Sequence, residues 1–230
     1  MQRLLIIDTE TTGLEPSEGA HVIEIGAILF DVKQQEVVSQ ISFLLPTLTN
    51  EAEHVNRIKP ELTMSVSDIS GELAKSFWFM VDHADYAVAH NAAFDSKWFG
   101  EGGCLPKMPL PWICTMEDVR WPKNTKRGRP SVTSLALDYG VPVWSAHRAL
   151  TDCIYLAEIM KREPDLKRIL ENSLEPRDIY VSCLPYERRN ECKQQGFSWD
   201  GIVPRKWAKR MTASEAEAVP FQIKKHSVPL

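Results

Sequence analysis

The amino-acid sequence predicts an α/β domain with a mixed β-sheet, followed by a small α+β segment. Short apolar runs alternate with stretches of helical character, and the two longest β-rich stretches are separated only by turn residues. That order is typical of a sheet with antiparallel neighbours at its beginning and alternating helices and strands after it. The predicted strands are 3–7, 22–30, 36–45, 86–89 and 112–114.

Helix-forming stretches lie between and after these strands. Ser70 is a suitable N-cap for one helix, and Gly140 is a suitable residue to end another. Apolar residues recur at helical spacing in the last of them. The predicted helices are 70–83, 92–99, 131–139 and 149–161.

A domain boundary is predicted near residues 172–176, where the pattern changes. The chain has 230 residues and a net charge of −4. Residues 1–172 carry 17 Lys and Arg against 24 Asp and Glu, whereas 173–230 carry 10 against 7. We expect one domain at 1–172 and a second at 178–224. The second should contain a strand, a helix and the two strands of a hairpin at 179–183, 185–195, 197–200 and 206–210.

The composition, 43% apolar and 25% charged, is that of a globular protein. The five cysteines are odd in number and form no CxxC pair, which favours free thiols in a reducing compartment. No signal peptide pattern is present, and no apolar run approaches the roughly 18 residues of a membrane span. We therefore expect a cytoplasmic protein without a membrane segment.

Carboxylates follow two of the predicted strands. Asp8 and Glu10 come after the first strand, where residues two apart face the same side and can be aimed at one point. Asp95 comes just after the strand at 86–89, near a helix start. A solvated strand end and an ordinary helix-start acid give the same patterns, so neither motif establishes a site alone.

His147 and Asp152 lie at the start of the last predicted helix. Helical side chains lean toward the N-terminus, so both can reach one point. The spacing is not specific, because His90 and Asp95 share it. A capping histidine and an exposed helix acid give the same pattern.

Taken together, the four acids and His147 predict a phosphoryl-hydrolysis site. Acids at the ends of separate elements repel one another unless a cation neutralises them, and oxygen ligands suit Mg²⁺ or Mn²⁺. Two such ions about 4 Å apart can hold the attacking and leaving oxygens of a phosphodiester. A histidine, with an intrinsic pKa near 6.5, can accept a proton from the attacking water.

This ordered set resembles the DEDDh exonucleases, a family that includes the proofreading epsilon subunits of bacterial DNA polymerase III, RNase T and oligoribonuclease. Order and spacing agree over about residues 1–165. The three matching motifs are Asp8-Thr9-Glu10-Thr11-Thr12-Gly13, His90-Asn91-Ala92-Ala93-Phe94-Asp95 and His147-Arg148-Ala149-Leu150-Thr151-Asp152.

The resemblance implies an RNase H-like fold, a five-stranded mixed sheet flanked by helices. It also implies two Mg²⁺ or Mn²⁺ ions and release of nucleoside 5′-monophosphates from a 3′ end, with His147 as general base. The implied catalytic metal ligands are Asp8, Glu10, Asp95 and Asp152. The implied contacts to the terminal nucleotide are Thr11, Leu14 and Phe94, of which the last two could equally be core residues.

One departure concerns the segment before the next helix. Epsilon-like members often have Val-His-Gly-Ile there, with the histidine touching substrate. This chain has Val55-Asn56-Arg57-Ile58, which leaves the substrate-side contacts open.

Two further regions are basic. A loop is expected to contact nucleic acid through phosphate-binding cations, with Trp121 stacking on unpaired bases, unless it is only a solubilising loop. Its cations are Lys123, Lys126, Arg127 and Arg129. The C-terminal segment is similar to a small domain of unknown function found in bacterial proteins of DNA metabolism. Trp199 and Trp207 are expected mainly in its core, and the basic residues beside them could bind nucleic acid.

The sequence thus predicts a metal-dependent 3′→5′ exonuclease for single-stranded or frayed DNA, in repair or proofreading. An RNA or oligoribonucleotide exonuclease is the alternative of the same class, since the acidic motifs do not report recognition of the 2′-hydroxyl. A non-catalytic nucleic-acid adaptor is the alternative of another class. A polymerase or another DNA-metabolism protein is the partner expected at the C-terminal domain.

Overall fold

The computed structural model describes residues 1–124, 129–145 and 147–226. Its larger sheet consists of β1 (Arg3–Thr11), β2 (Val22–Asp31), β3 (Glu36–Leu44), β4 (Tyr86–Ala89) and β5 (Trp112–Cys114). The strand order is β3-β2-β1-β4-β5. Neighbours among the first three strands are antiparallel, and the pairs β1–β4 and β4–β5 are parallel. The predicted mixed sheet is therefore confirmed, and β1 extends beyond the predicted strand to include the first two candidate acids.

Helices surround this sheet. The helix predicted at 149–161 is present with those bounds, and the other predicted helices are shorter than expected. Ser131 caps its helix, accepting a hydrogen bond from Ser134 N at 3.2 Å. The expected N-cap at Ser70 is wrong: Ile69 occupies that position, and the Ser70 hydroxyl donates to Ser67 O at 3.1 Å. Three helices were not predicted: two short ones after β3 and the last one. The helices are α1 (Glu53–Asn56), α2 (Pro60–Ser65), α3 (Ser70–Val81), α4 (Ala92–Ser96), α5 (Val132–Asp138), α6 (Ala149–Lys161) and α7 (Leu166–Ser173).

The apolar core lies on both faces of the sheet, because successive side chains of a strand point to opposite faces. Leu4 and Ile6 of β1 pack in one cluster with buried residues of α5, α6 and α7. Leu5 and Ile7 pack in a second cluster with buried residues of α3. The central strand is thus buried on both sides, and its end is held in a fixed position.

A second sheet begins at Asp178, just after the boundary predicted near residues 172–176. Its strands are β6 (Asp178–Ser182), β7 (Ser198–Trp199), β8 (Trp207–Met211) and β9 (Ile223–Lys225), in the order β7-β8-β6-β9. The predicted hairpin is β7 paired with β8. The predicted helix at 185–195 consists of a 3₁₀ turn (Tyr186–Arg188) and α8 (Arg189–Gln194); α9 (Ala213–Glu217) and β9 were not predicted.

The tryptophans of this sheet differ in burial. Trp207 packs against the core cluster of Cys192, Phe197 and Met211, as expected. Trp199 rests on Trp207, with ring centroids 5.7 Å apart, but is 49% exposed, so its assignment to the core is wrong. The two-residue strand β7 lies at the sheet edge and leaves the Trp199 ring without a covering layer.

Ion pairs join the C-terminal sheet to the larger domain. The Arg177 side chain is 3% exposed, and its Nη1 lies 2.6 Å from Glu215 Oε2. Arg120 Nε also contacts Glu215, at 2.8 Å, and Arg210 pairs with Asp118. Because breaking a buried, hydrogen-bonded ion pair is strongly destabilising, this network holds the two parts in one arrangement. None of the helices in the described ranges has the length and apolarity that crossing a membrane requires.

Candidate active site

Asp8 and Glu10 lie at the end of the central strand. They continue the row of Leu4 and Ile6 on β1, so they point to the face that α6 covers. In the antiparallel register Asp8 lies opposite Gly26, and Glu10 lies opposite Glu24. Strand periodicity therefore places two carboxylates side by side, next to the start of α6.

Asp95 enters from α4, immediately after β4. Asn91 turns the chain there with a left-handed backbone (φ 78°), so that Asp95 falls in the first helical turn. Its carboxylate is 2% exposed and accepts hydrogen bonds from Thr9 N at 3.0 Å and Thr9 Oγ1 at 2.8 Å. Thr9 thus fixes the third carboxylate directly beside the strand that carries Asp8 and Glu10.

His147 and Asp152 are contributed by the N-terminal end of α6. His147 has a left-handed backbone (φ 62°), and its N–H donates to Asp152 Oδ2 at 3.3 Å. Glu10, His147 and Asp152 each offer an atom capable of binding a metal, and these atoms lie within 4.8 Å of one another. The His147 side chain is exposed, so it can be reached by solvent and by a ligand.

By contrast, His90, which has the same spacing to Asp95 as His147 has to Asp152, has a structural role. Nδ1 of His90 lies 3.0 Å from Thr115 Oγ1, and its Nε2 lies 2.8 Å from Pro130 O. Burial lowers the pKa of this imidazole. Both ring nitrogens are therefore engaged, which separates His90 from His147.

Burial raises the pKa values of all four carboxylates, and neighbouring carboxylates add to this effect at Asp8 and Glu10. Burial, followed by the charges of Asp95, Asp152 and Glu10, holds the pKa of Asp8 well above its usual range. Burial, Glu24 and Asp152 raise the pKa of Glu10 to about 8. Burial raises the pKa of Asp95 to about 7, and burial also raises that of Asp152. The arrangement concentrates negative charge where solvent does not offset it.

One atom of this cluster lacks a hydrogen bond. Asp152 Oδ1 is buried, and no donor reaches it in the described part of the chain. A buried carboxylate oxygen without a donor is costly, and a cation would satisfy it. The donor set and the raised pKa values therefore fit hard divalent ions bound by oxygen.

Sequence reasoning missed two residues that position α6 against the strands. Glu24, 1% exposed, accepts hydrogen bonds from Arg148 Nη2 at 2.8 Å and from Ala149 N at 3.1 Å. Gly26 allows a close approach, since an added Cβ would lie 2.3 Å from backbone atoms of Ala149 and Leu150. Glu24 had a signal in the sequence, as an acid inside an otherwise apolar strand.

The residues expected to contact the terminal nucleotide are placed differently from one another. The Thr11 hydroxyl is buried and donates to Gly13 O at 2.7 Å. Leu14 is 73% exposed and is not a core residue. Phe94 is partly buried, and Lys97 Nζ lies 4.7 Å from its ring centroid while also bonding to the Leu14 carbonyl. Lys97 thereby connects the Leu14 turn to α4, a link the sequence did not reveal.

The departure at Asn56 has a structural role. Asn56 is 1% exposed, and its side-chain amide donates to Thr11 O at 3.1 Å. Its carboxamide oxygen accepts from Ile58 N at 3.1 Å. Arg57 adopts a left-handed conformation (φ 59°) at the position where epsilon-like relatives have glycine. Asn56 therefore holds the C-terminal end of β1 in place through its hydrogen bond to Thr11 O.

In the basic loop, Trp121 corrects the sequence-based expectation. It is buried, and its Nε1 donates to Thr115 O at 2.9 Å, so it cannot stack on a base. Lys123 lies over the Tyr139 ring at 5.1 Å, and Arg129 pairs with Glu117. Both cations remain exposed. The other two predicted contacts, Lys126 and Arg127, lie outside the described residues.

Comparison with solved structures shows that this mixed sheet with its flanking helices is the RNase H-like fold of the exonucleases. Exonuclease X in complex with 5′ overhanging duplex DNA aligns with a TM-score of 0.51 and 26% identity, over 74% of this chain and 99% of that chain. The nuclease domain of 3′hExo, a DEDDh family member bound to rAMP, aligns with a TM-score of 0.54 and 17% identity. That second alignment covers 73% of this chain and 92% of that chain and shows the fold alone.

The chain belongs to the DEDDh exonuclease family: the exonuclease family model matches residues 5–160. Exodeoxyribonuclease 10 of Escherichia coli K12 is 30% identical over 166 residues, 68% of this chain and 66% of the relative. DNA polymerase III subunit epsilon of Treponema pallidum is 30% identical over 167 residues, 66% of this chain and 72% of the relative. The family uses divalent metal ions.

A second family model, a domain of unknown function, matches residues 178–225.

Proposed function

We propose that the protein removes nucleoside 5′-monophosphates from the 3′ end of single-stranded or frayed DNA by a two-metal mechanism. One observation carries this proposal: four carboxylates from three separate elements gather beside an exposed histidine, where burial raises the pKa of each carboxylate. A structural role would leave such a cluster neutralised by basic side chains. Arg148 is a cation beside it, and both of its short hydrogen bonds go to Glu24.

The metal ligands in this proposal are Asp8, Glu10, Asp95 and Asp152. Mg²⁺ or Mn²⁺, when bound, supplies positive charge for the attacking and leaving oxygens of the phosphodiester. Asp95 is held by Thr9, so its remaining oxygen has a fixed direction. Asp152 contributes the buried oxygen that has no donor.

His147 acts as the general base. Its side chain is exposed at the rim of the cluster, and its left-handed backbone directs it toward Glu10 and Asp152. A neutral imidazole there accepts the proton of the attacking water, and the neighbouring carboxylates stabilise the imidazolium that forms. The proton then leaves to solvent, from which the ring is accessible.

The terminal nucleotide is bound beside this cluster. Leu14 projects from the turn after β1 and offers an apolar surface to a base, while Phe94 lies on α4 next to Asp95. Because the Thr11 hydroxyl is engaged by Gly13, we expect any Thr11 contact to come from its backbone. Lys123 and Arg129 remain the proposed cationic contacts of the loop, together with Lys126 and Arg127.

DNA is the substrate that similarity favours. The name of exodeoxyribonuclease 10 and the DNA complex of exonuclease X point to DNA, whereas 3′hExo binds rAMP in its structure. An RNA or oligoribonucleotide exonuclease is therefore the second candidate. The similarity to polymerase III epsilon subunits supports a polymerase as partner. The domains at 1–172 and 178–224, a role in repair or proofreading, and a cytoplasmic location are part of the same proposal.

The test is a time course on matched DNA and RNA oligonucleotides. A label at the 5′ end should give a ladder that shortens stepwise with Mg²⁺, and a label at the 3′ end should appear at once as mononucleotide. EDTA should abolish both. Asp8→Asn should remove the activity, whereas Asp68→Asn, at an exposed turn, is the matched control and should not. Binding of oligonucleotide without any degradation in Mg²⁺ or Mn²⁺ would favour the non-catalytic adaptor instead.

A further inference from the structure

A cleft separates the larger domain from the C-terminal sheet. Its volume is about 690 Å³, and its described walls come from residues 116–124 and 129–130 on one side and from residues 193–210 on the other. The described lining residues that carry positive charge are Arg120, Arg129, Lys193, Lys209 and Arg210. Among those same described lining residues, Glu117 is the acid. The cleft is therefore electropositive in a chain whose net charge is negative.

Two of these cations have no acid within ion-pairing distance in the described ranges. Arg129 pairs with Glu117 and Arg210 with Asp118, but Lys209 Nζ bonds only to the Gln195 carbonyl, at 2.9 Å. Lys193 Nζ lies 6.0 Å from the Trp207 ring centroid. Lys209 is partly buried, whereas Lys193 is exposed. A partly buried ammonium group without an acid favours binding of an anion.

The surroundings of Lys209 support this. Burial, followed by the nearby charge of Arg120, lowers the pKa of Lys209. Positive groups thus repel one another across the cleft, and an anion between them would relieve that repulsion.

The cleft continues toward the candidate active site. A second cavity of about 330 Å³ shares Glu117, Arg129 and Arg210 with it. This cavity extends to Ala92 and Ser96 of α4, the helix that carries Asp95. The two arginines of this cavity pair with Glu117 and Asp118, which also line it, and the cavity connects the cleft to the helix of the third carboxylate.

The arrangement of the cleft is fixed. Arg120 pairs with Glu215, and Arg210 pairs with Asp118, across the boundary. Glu215 is also held by Arg177 of the connecting segment, whose side chain is 3% exposed. The two walls are thus preorganised, which lowers the entropic cost of binding a flexible chain between them.

We propose that this cleft binds the sugar-phosphate backbone of the single-stranded substrate, upstream of the 3′ terminal nucleotide. The inference rests on the proposed function, because it assigns the C-terminal domain to the same substrate. Phosphates are the anions that suit a row of lysine and arginine side chains, and such contacts carry no base specificity. The domain then makes binding depend on strand length.

The test compares the wild type with the double variant Lys193→Gln, Lys209→Gln in the full chain. Fluorescence anisotropy in EDTA, where no strand is degraded, measures binding of a 5′-labelled oligonucleotide of about twelve nucleotides and of a dinucleotide. Each phosphate contact on a single strand contributes about 0.7 to the salt slope. Between about 50 and 200 mM salt, the wild type should lose about 7-fold more affinity for the longer strand than the variant.

Two further variants keep the result interpretable. Lys193→Arg with Lys209→Arg retains both cations and should keep the wild-type slope. The double variant Lys33→Gln, Lys167→Gln removes the same charge from exposed positions and should leave the salt slope unchanged. Lys33 lies in the turn after β2, at the opposite end of the sheet from Asp8. Thermal melts show whether each variant folds.

The proposal is overturned if the glutamine variant keeps the wild-type salt slope, or if it loses affinity equally for both lengths. The anisotropy readout does not require catalysis. A wild type that binds long strands through these lysines but degrades none would refute the proposed function and leave this inference standing.

Discussion

Gly26→Ala tests whether the contact between β2 and α6 sets the geometry of the site. The added Cβ would lie 2.3 Å from Ala149 C and Leu150 N and 2.7 Å from Ala149 O. These are backbone atoms, so no side chain can rotate away. Ordinary contacts of a Cβ begin at 3.4 Å, so α6 must retreat by about 1 Å.

This displacement would act on catalysis more than on folding. His147 and Asp152 move with α6, whereas Asp8 and Glu10 stay on β1. A misplacement of about 1 Å in a reacting geometry lowers the rate by roughly 10²-fold. Overpacking of a buried contact lowers the free energy of unfolding by about 1–3 kcal/mol, which leaves most domains folded.

The assay is single-turnover degradation of a 5′-labelled oligonucleotide at saturating enzyme, with thermal melts in parallel. Gly71→Ala is the matched control, because no atom lies within 4 Å of its added Cβ, and it should keep the wild-type rate. A Gly26→Ala protein with the wild-type rate and an unchanged melting temperature would refute the argument, since the helix would then tolerate the extra atom without moving.

Further predictions concern the charges around the site. His147→Ala should lower the single-turnover rate about 10²–10⁴-fold while Asp152→Asn abolishes it, and retention of half the rate in either would contradict the assigned roles. Glu24→Gln should lower the free energy of unfolding by about 2 kcal/mol by chemical denaturation, because Arg148 and Ala149 N lose their charged acceptor; exposed Glu36→Gln is the control. Arg177→Met should destabilise the C-terminal sheet, so that amide hydrogens of β6 and β8 exchange faster than in the wild type while the exchange rates in β1 stay unchanged. In the folded protein in EDTA, the pKa of Glu10 is raised to about 8 and that of Asp95 to about 7. In the unfolded chain these carboxyl groups have their ordinary pKa values of 4.5 and 3.8, so they lose their protons at lower pH than in the folded protein. Stability should therefore fall as the pH rises from about 5 to 8, and the Mg²⁺-induced rise in melting temperature should grow over the same range. A melting temperature in EDTA that does not change with pH would contradict these shifts.

Much of the fold was predictable because local patterns were strong. The apolar runs at β1, β4 and β5 are short, bounded and too continuous for amphipathic helices. α7 and β9 were not predicted, each for a different reason. α7 follows a proline-interrupted connection, and β9 is three residues long and is stabilised by pairing with β6.

The acidic motifs were predictable as a set, whereas the substrate side was less so. The basic residues beside Trp121 in the sequence suggested an exposed stacking residue. In the structure Trp121 is buried, and its Nε1 donates to Thr115 O. Leu14 could not be separated from a core residue until the turn after β1 showed it 73% exposed. Exposure depends on contacts between residues distant in the chain, which local patterns do not contain.

By itself, the sequence determined which side chains could perform the chemistry and which elements carry them, because strand alternation and helix spacing are local properties of the backbone. Only the tertiary structure decided that Thr9 holds Asp95, that Gly26 admits α6, and that the basic residues of the C-terminal sheet face a cleft leading to α4. Those facts depend on long-range packing, in which residues more than a hundred positions apart come into contact, as Glu24 and Arg148 do.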